Sequence, residues 1–316
     1  MPALIPDSFR SMIAGRPADA VGAVTGDAWL AALPALVDER LSAWDLAVDG
    51  AARHGECALA LPVRRAEGAA AVLKLTWPHA EAVHEHLALR AWDGRGAVRL
   101  LAAHPADGVL LLERLDPDRD LHALSIIDAC EQIGALMRRL DRPAPARIDV
   151  LDDQVPRWRG KLARQVDGVP RRLVQQAAAH LTDLMADDDL GDGVTGRDRL
   201  VHTDLHYANV LAPLPGSGRG DWLAIDPKPL SAEWAFAVAP AIWNRAEEAA
   251  RAHSLAVHVR LRADLIADAA GLDEDRVRMW TFVRLILNAV DAADVGSSAG
   301  EFRGRMIALA KAFATP

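Results

Sequence analysis

A chain of 316 residues has room for two domains or for one domain of two lobes, and its 51% hydrophobic and 25% charged residues are ordinary for a soluble globular protein. A net charge of −8 and a pI near 5.8 argue against a nucleic-acid partner, which calls for basic patches, and suit a cationic ligand, whose local concentration an acidic surface raises. Cys57 and Cys130 are far apart and in no metal or redox pattern, so they predict neither a disulfide framework nor a zinc cluster and fit a reducing cytosol. The N-terminal residues lack the charged and apolar regions of a signal peptide, and no apolar run approaches a membrane span. A cytoplasmic protein without a membrane partner is expected, as a monomer.

Residues 1–25 read as loosely ordered. Leu30, Leu33, Leu36, Val37 and Leu41 recur at helical spacing and predict a helix over 27–41 with Asp27 as N-cap. Short apolar stretches at 44–48, 57–63 and 70–75, punctuated by Asp49-Gly50, Gly55 and Glu67-Gly68, predict three strands of an antiparallel meander. Pro78 can open a helix, which runs to residue 92 with Val83, Leu87 and Ala91 on one face until Asp93-Gly94 stops it. Stretches 98–101 and 109–112 add two strands. Helical patterns then dominate from 118 to 186, and a polar stretch from Asp187 to Arg199 reads as an exposed loop. Two strand-like pieces, 201–211 and 222–225, flank the turn Pro-Gly-Ser-Gly-Arg-Gly at 215–220, and from about Glu233 the chain is helical to its end.

The order predicts an α+β, bilobal fold. An N-terminal lobe over 1–116 holds a five-stranded antiparallel sheet with one helix, and a mostly helical lobe covers 117–316.

The most informative stretch is His202-Thr203-Asp204-Leu205-His206-Tyr207-Ala208-Asn209, followed by Ile225-Asp226-Pro227. Two acids and an amide stand on two turns, each after an apolar run. Phosphoryl transfer uses this set: one carboxylate orients the attacking hydroxyl and takes its proton, while an amide oxygen and a second carboxylate hold the magnesium of ATP. The spacing H-T-D-x-x-x-x-N matches the kinase catalytic loop H-R-D-x-x-x-x-N, and Ile-Asp-Pro stands where Asp-Phe-Gly would.

These motifs resemble the aminoglycoside phosphotransferase family, which shares the kinase fold. The longer form Trp222-Leu223-Ala224-Ile225-Asp226-Pro227-Lys228-Pro229-Leu230, with 29–37, 89–101 and 110–116, is similar to the streptomycin 6-phosphotransferase subfamily, the aminoglycoside/hydroxyurea antibiotic resistance kinases. The resemblance implies an ATP- and Mg2+-dependent O-phosphotransferase that acts on a hydroxyl of an aminoglycoside, streptomycin above all, and so gives antibiotic resistance. Asp204 would be the catalytic acid-base, and Asn209 and Asp226 the metal ligands. Lys74 would hold the α/β-phosphates, paired with Glu85 in preference to Glu81. The lobe over 1–116 would bind the nucleotide, with a hinge at 113–116 whose residues Glu113 to Leu115 would offer backbone groups to adenine, and 117–316 would be the catalytic and substrate-binding lobe.

The chain departs from the kinase pattern at two places. Only Gly50 and Gly55 mark the phosphate loop, and Thr203 stands where related kinases often have glycine. His202 and His206 are four apart like a metal pair, but kinase-like folds use the first for packing. Glu233, Trp234, Asn244, Arg245, Glu247 and Glu248 fall where such kinases meet substrate, an exposed helix face being the alternative, and Lys228 has a structural reading as well. A kinase of another small hydroxyl compound (a viomycin-type peptide, hydroxyurea or a sugar metabolite) fits the same motifs. A nucleotide-binding pseudokinase fits less well, since Asp204, Asn209 and Asp226 are all present.

Overall fold

Alternation along the strands decides what each face of the N-terminal sheet meets. In this computed structural model, which describes residues 4–19, 24–186 and 196–314, β1 (Leu46–Val48), β2 (Arg53–His54), β3 (Ala58–Arg65), β4 (Ala70–Thr76), β5 (Leu100–His104) and β6 (Val109–Glu113) form one antiparallel sheet. Leu59, Leu61, Val63, Ala71, Leu73, Leu75, Val109 and Leu111 are buried in one apolar cluster with Phe9, Ile13, Trp29, Leu33 and Val37 of the helices α1 (Asp7–Ile13) and α2 (Gly26–Ala43). Lys74 lies between Leu73 and Leu75 and therefore points to the other face, opposite Ala60 and Leu110 in the register.

Several expectations are corrected here. The loose order read into the first 25 residues does not hold over Asp7–Ile13, because Phe9 and Ile13, fully buried, seat α1 in the core. The cap of α2 is Thr25, whose hydroxyl accepts the amide of Ala28 at 3.3 Å, and Asp27 instead accepts the amide of Gly15 at 3.1 Å. The helix α3 covers only Glu85–Trp92, after a 3-10 turn at Ala80–Ala82. Its earlier start is diverted because the amide of Ala80 donates to Asp19 Oδ2 at 2.7 Å and His79 bonds the carbonyl of Trp77 at 2.8 Å.

The strand order is β1-β3-β4-β6-β5, not a simple meander: the chain leaves α3 onto the edge as β5 and returns inward as β6. Burial explains this, since Val109 to Leu112 are all buried whereas every residue of β5 is only half-buried. Gly108 makes the return, at φ 66°, where an added Cβ would meet the Thr76 carbonyl oxygen at 2.8 Å. β2 was too short to be read from the sequence.

The described residues divide into two compact units, Met1–Pro117 with Ala212–Leu223, and Asp118–Leu211 with Ala224–Pro316. In the first unit, Arg219 anchors the returning segment: its guanidinium donates to the carbonyls of Gly94 and Ala97 at 2.6 and 3.1 Å and to Glu113 Oε1 at 2.9 Å.

The second unit is mostly helical. Its principal helices are α4 (Ile126–Leu140), α5 (Val155–Ala163), α6 (Arg171–Ala186), α7 (Ala239–Trp243), α8 (Ala246–Arg251), α9 (Leu255–Ala270), α10 (Glu274–Val295) and α11 (Gly300–Phe313). α4 lies close on α9 at Gly134, where an added Cβ would come within 2.6 Å of Ala269 Cβ. Before these, β7 (Leu115–Asp120) replaces the first part of the helical pattern expected from 118. The loop expected from Asp187 lies outside the described residues up to 195.

The motif region carries β8 (Arg199–His202), β9 (Val210–Pro213), β10 (Leu223–Ala224) and β11 (Pro229–Ala232). β8 and β11 pair antiparallel, with His202 opposite Pro229. Among the described residues no helix is long and apolar enough to cross a membrane.

Candidate active site

Two turns of the second unit are fastened together by short polar contacts. β8 ends at His202, whose ring is fully buried. The amide of Asp204 donates to its Nδ1 at 3.2 Å, so Nε2 bears the hydrogen and donates to the carbonyl of Ile225 at 3.0 Å. Burial pushes the His202 pKa down to about 4, against the opposing pull of that carbonyl and of Asp204 and Asp226. The ring is therefore a neutral brace and not a metal ligand.

The 3-10 turn Tyr207–Asn209 brings in Asn209. Its Nδ2 donates to the Asp204 carbonyl at 2.9 Å and reaches Asp204 Oδ2 at 3.5 Å, which aims its Oδ1 the opposite way. Its own carbonyl accepts the amide of Ile225 at 2.9 Å. Ile225 is thus held at both its N–H and its C=O, by Asn209 and His202, immediately before Asp226.

Asp226 has φ 52°, the left-handed region, and is followed by proline. That combination is sparsely populated and persists only where neighbours impose it, as the two bonds on Ile225 do. Asn209 Oδ1 and the Asp226 carboxylate are the hard oxygen donors that magnesium takes, so the residues present fit that ion.

Asp204 itself is partly exposed. Its Oδ2 accepts from Lys228 Nζ at 2.8 Å, and its Oδ1 faces His206 Nε2 at 3.9 Å. Burial lowers the pKa of His206, partly offset by Asp204. Thr203, the residue before the acid, donates both its amide and its hydroxyl to the Lys228 carbonyl, at 3.0 and 2.9 Å. Its carbonyl accepts two bonds from Arg284 of α10, at 3.2 and 3.1 Å. Arg284 also donates to the Phe236 carbonyl at 3.0 Å and lies over the rings of Phe236 and Trp243, at 4.4 and 5.0 Å from their centres. A lone arginine inside a helix carries no motif, so Arg284 left no signal in the sequence.

In the first unit, Lys74 Nζ donates to both carboxylate oxygens of Glu85, at 2.6 and 2.7 Å. Lys74 is 8% and Glu85 3% exposed, whereas Glu81 is exposed on the preceding 3-10 turn. The Glu113 side chain is engaged by Arg219 and by the Arg99 amide, at 2.9 and 2.7 Å, and Leu115 is buried. Gly50 follows Asp49, whose carboxyl is held below its usual range by hydrogen bonding to Arg114, with Arg64 adding to it.

Most of the side chains suggested for substrate contact have internal work instead. Glu233 and Trp234 are buried: Glu233 accepts from Arg276 Nε at 2.7 Å and from Trp280 Nε1 at 2.7 Å, and Trp234 Nε1 donates to Asp141 Oδ1 at 3.0 Å. Arg245 pairs with Glu248 and bonds the Leu121 and Leu124 carbonyls, and Asn244 donates to the Pro240 carbonyl. Glu247 alone of that group is an exposed charge.

A kinase-type loop on this fold defines a class. The chain has a protein-kinase-like fold, similar to that of a choline/ethanolamine kinase family protein from Mesorhizobium loti at a TM-score of 0.58 and 15% identity, covering 89% of this chain and 95% of that one. Sequence narrows the class. The chain belongs to the aminoglycoside/hydroxyurea antibiotic resistance kinase family, whose model matches residues 43–296. It is 40% identical to the streptomycin 6-kinase of Streptomyces glaucescens, over 87% of this chain and 87% of that protein. It is also 40% identical to the hydroxyurea phosphotransferase of Kitasatospora aureofaciens, over 88% of this chain and 78% of that protein.

Proposed function

We propose that the protein transfers the γ-phosphoryl group of Mg-ATP to the 6-hydroxyl of streptomycin. The observation that carries this reading is the joint fastening of Asp204 and Asn209 on one turn to Ile225-Asp226 on the other, by bonds of 2.9 to 3.2 Å. Asp204 orients the acceptor hydroxyl and takes its proton as the oxygen attacks the γ-phosphorus; the bond from that phosphorus to the β–γ bridging oxygen breaks, and ADP leaves. Asn209 and Asp226 would hold the magnesium ion, which would supply positive charge to the phosphates. Lys74, kept in place by Glu85, takes the α/β-phosphates, and the backbone over Glu113 to Leu115 receives the adenine. The streptomycin 6-kinase relative, together with an acidic chain that suits a cationic acceptor, favours streptomycin.

Hydroxyurea is the second reading, supported by equal identity to the phosphotransferase named for it. ADP release from Mg-ATP, coupled to an optical signal, separates the two across streptomycin, other aminoglycosides, viomycin-type peptides, hydroxyurea and amino sugars. Preference for streptomycin is the expected result. Turnover confined to hydroxyurea keeps the kinase and discards the aminoglycoside.

A further inference from the structure

The two oxygens of the Asp204 carboxylate have unlike surroundings. Oδ2 receives Lys228 Nζ at 2.8 Å and Asn209 Nδ2 at 3.5 Å. Oδ1 has His206 Nε2 at 3.9 Å, outside hydrogen-bond reach. Lys228 is fixed at its other end as well, because its carbonyl accepts the amide and the hydroxyl of Thr203 at 3.0 and 2.9 Å, and Pro229 beside it enters β11 opposite His202. One residue therefore grips two consecutive positions of the catalytic turn, Thr203 by its backbone and Asp204 by its side chain.

An ion pair with Lys228 32% and Asp204 22% exposed adds little to folding stability. Its effect is on geometry. An aspartate with one oxygen pinned has lost its rotational freedom before substrate arrives, and the other oxygen has a fixed direction.

We propose that Lys228 is the positioning residue for the catalytic acid-base: its ammonium holds Oδ2 so that Oδ1 is the oxygen presented to the acceptor hydroxyl. The inference rests on Asp204 being that acid-base. In the transfer step the hydroxyl proton passes to Oδ1, the hydroxyl oxygen bonds to the γ-phosphorus, and the bond to the ADP oxygen breaks. His206 borders Oδ1 and limits the side from which the hydroxyl approaches.

The test compares Lys228→Met, Lys228→Arg, Asp204→Ala and the double variant Asp204→Ala/Lys228→Met, with streptomycin and Mg-ATP. The backbone carbonyl that anchors Thr203 survives each substitution. Lys228→Met is expected to lower kcat on the order of 100-fold, as misplaced catalytic groups do, with Mg-ATP affinity and melting temperature unchanged. Lys228→Arg should recover part of the loss, since it still donates to Oδ2. In the Asp204→Ala background, Lys228→Met should add nothing, because residues that act through one another are not additive. A wild-type kcat in Lys228→Met, an equal loss in both backgrounds, or a loss carried by Mg-ATP affinity overturns the proposal. Wild-type turnover in Asp204→Ala is a separate outcome: it removes the acid-base reading itself.

Discussion

His202 donates through Nε2 to the carbonyl of Ile225 at 3.0 Å, and so couples the turn that carries Asp204 to the turn that carries Asp226. The brace works only as a neutral ring, since Nδ1 must accept the Asp204 amide. Its folded pKa, about 4, lies below the usual 6.5. The unfolded chain therefore binds more protons between these values, and stability falls as pH drops from 6.5 towards 4. The full penalty of this one ring is about 3 kcal/mol. Urea midpoints across that window, compared with those of His202→Gln, should show a steeper acid loss in the wild type; identical slopes contradict the neutral brace.

Lys74 and Glu85 form a buried pair, and Glu81 stands outside it. Glu85→Gln removes the carboxylate that grips the ammonium at both oxygens and should weaken Mg-ATP binding by at least about tenfold, ~1.4 kcal/mol. Glu81→Gln should leave it unchanged. Calorimetric titration of both variants decides, and equal weakening by the two removes Glu85 from its assigned role.

Arg284 holds the carbonyl of Thr203 with a two-pronged contact while it stacks on Phe236 and Trp243. Lysine cannot reproduce that fork or its stacking. Arg284→Lys should destabilise the fold by about 1–3 kcal/mol, the cost of hydrogen bonds lost from a carbonyl, and should lower kcat more than it raises KM. Chemical denaturation and steady-state kinetics measure both; full stability together with full kcat sinks the role.

The site was legible where its chemistry is local in sequence. Asp204 and Asn209 share one turn, and Asp226 follows an apolar run, so spacing alone brought them together. Lys74 came through the family resemblance, and strand alternation, which puts it opposite the core residues Leu73 and Leu75, is the physical signal that marks it. The helix 7–13 has a signal of its own, since Ile5, Phe9 and Ile13 recur every four residues and all are buried. Other features left little trace. β11 begins with a proline and spans only Pro229–Ala232, which argues against a strand until β8 is there to pair with it. The return of Ala212–Leu223 to the first unit depends on Arg219, whose partners Gly94, Ala97 and Glu113 lie more than a hundred residues away in the chain. Glu233 read as a candidate for substrate contact because nothing local shows that Arg276 and Trp280 occupy it.

In the proposed reaction Asp204 drives phosphoryl transfer from Mg-ATP to a hydroxyl of streptomycin. Mass analysis of streptomycin after incubation with Mg-ATP and either the wild type or Asp204→Ala, with Mg-ATP binding measured on both proteins, tests this role. The wild type should give a product heavier by one phosphoryl group and Asp204→Ala at most a trace of it, with similar nucleotide affinity in the two. Equal product from Asp204→Ala would contradict the role of Asp204.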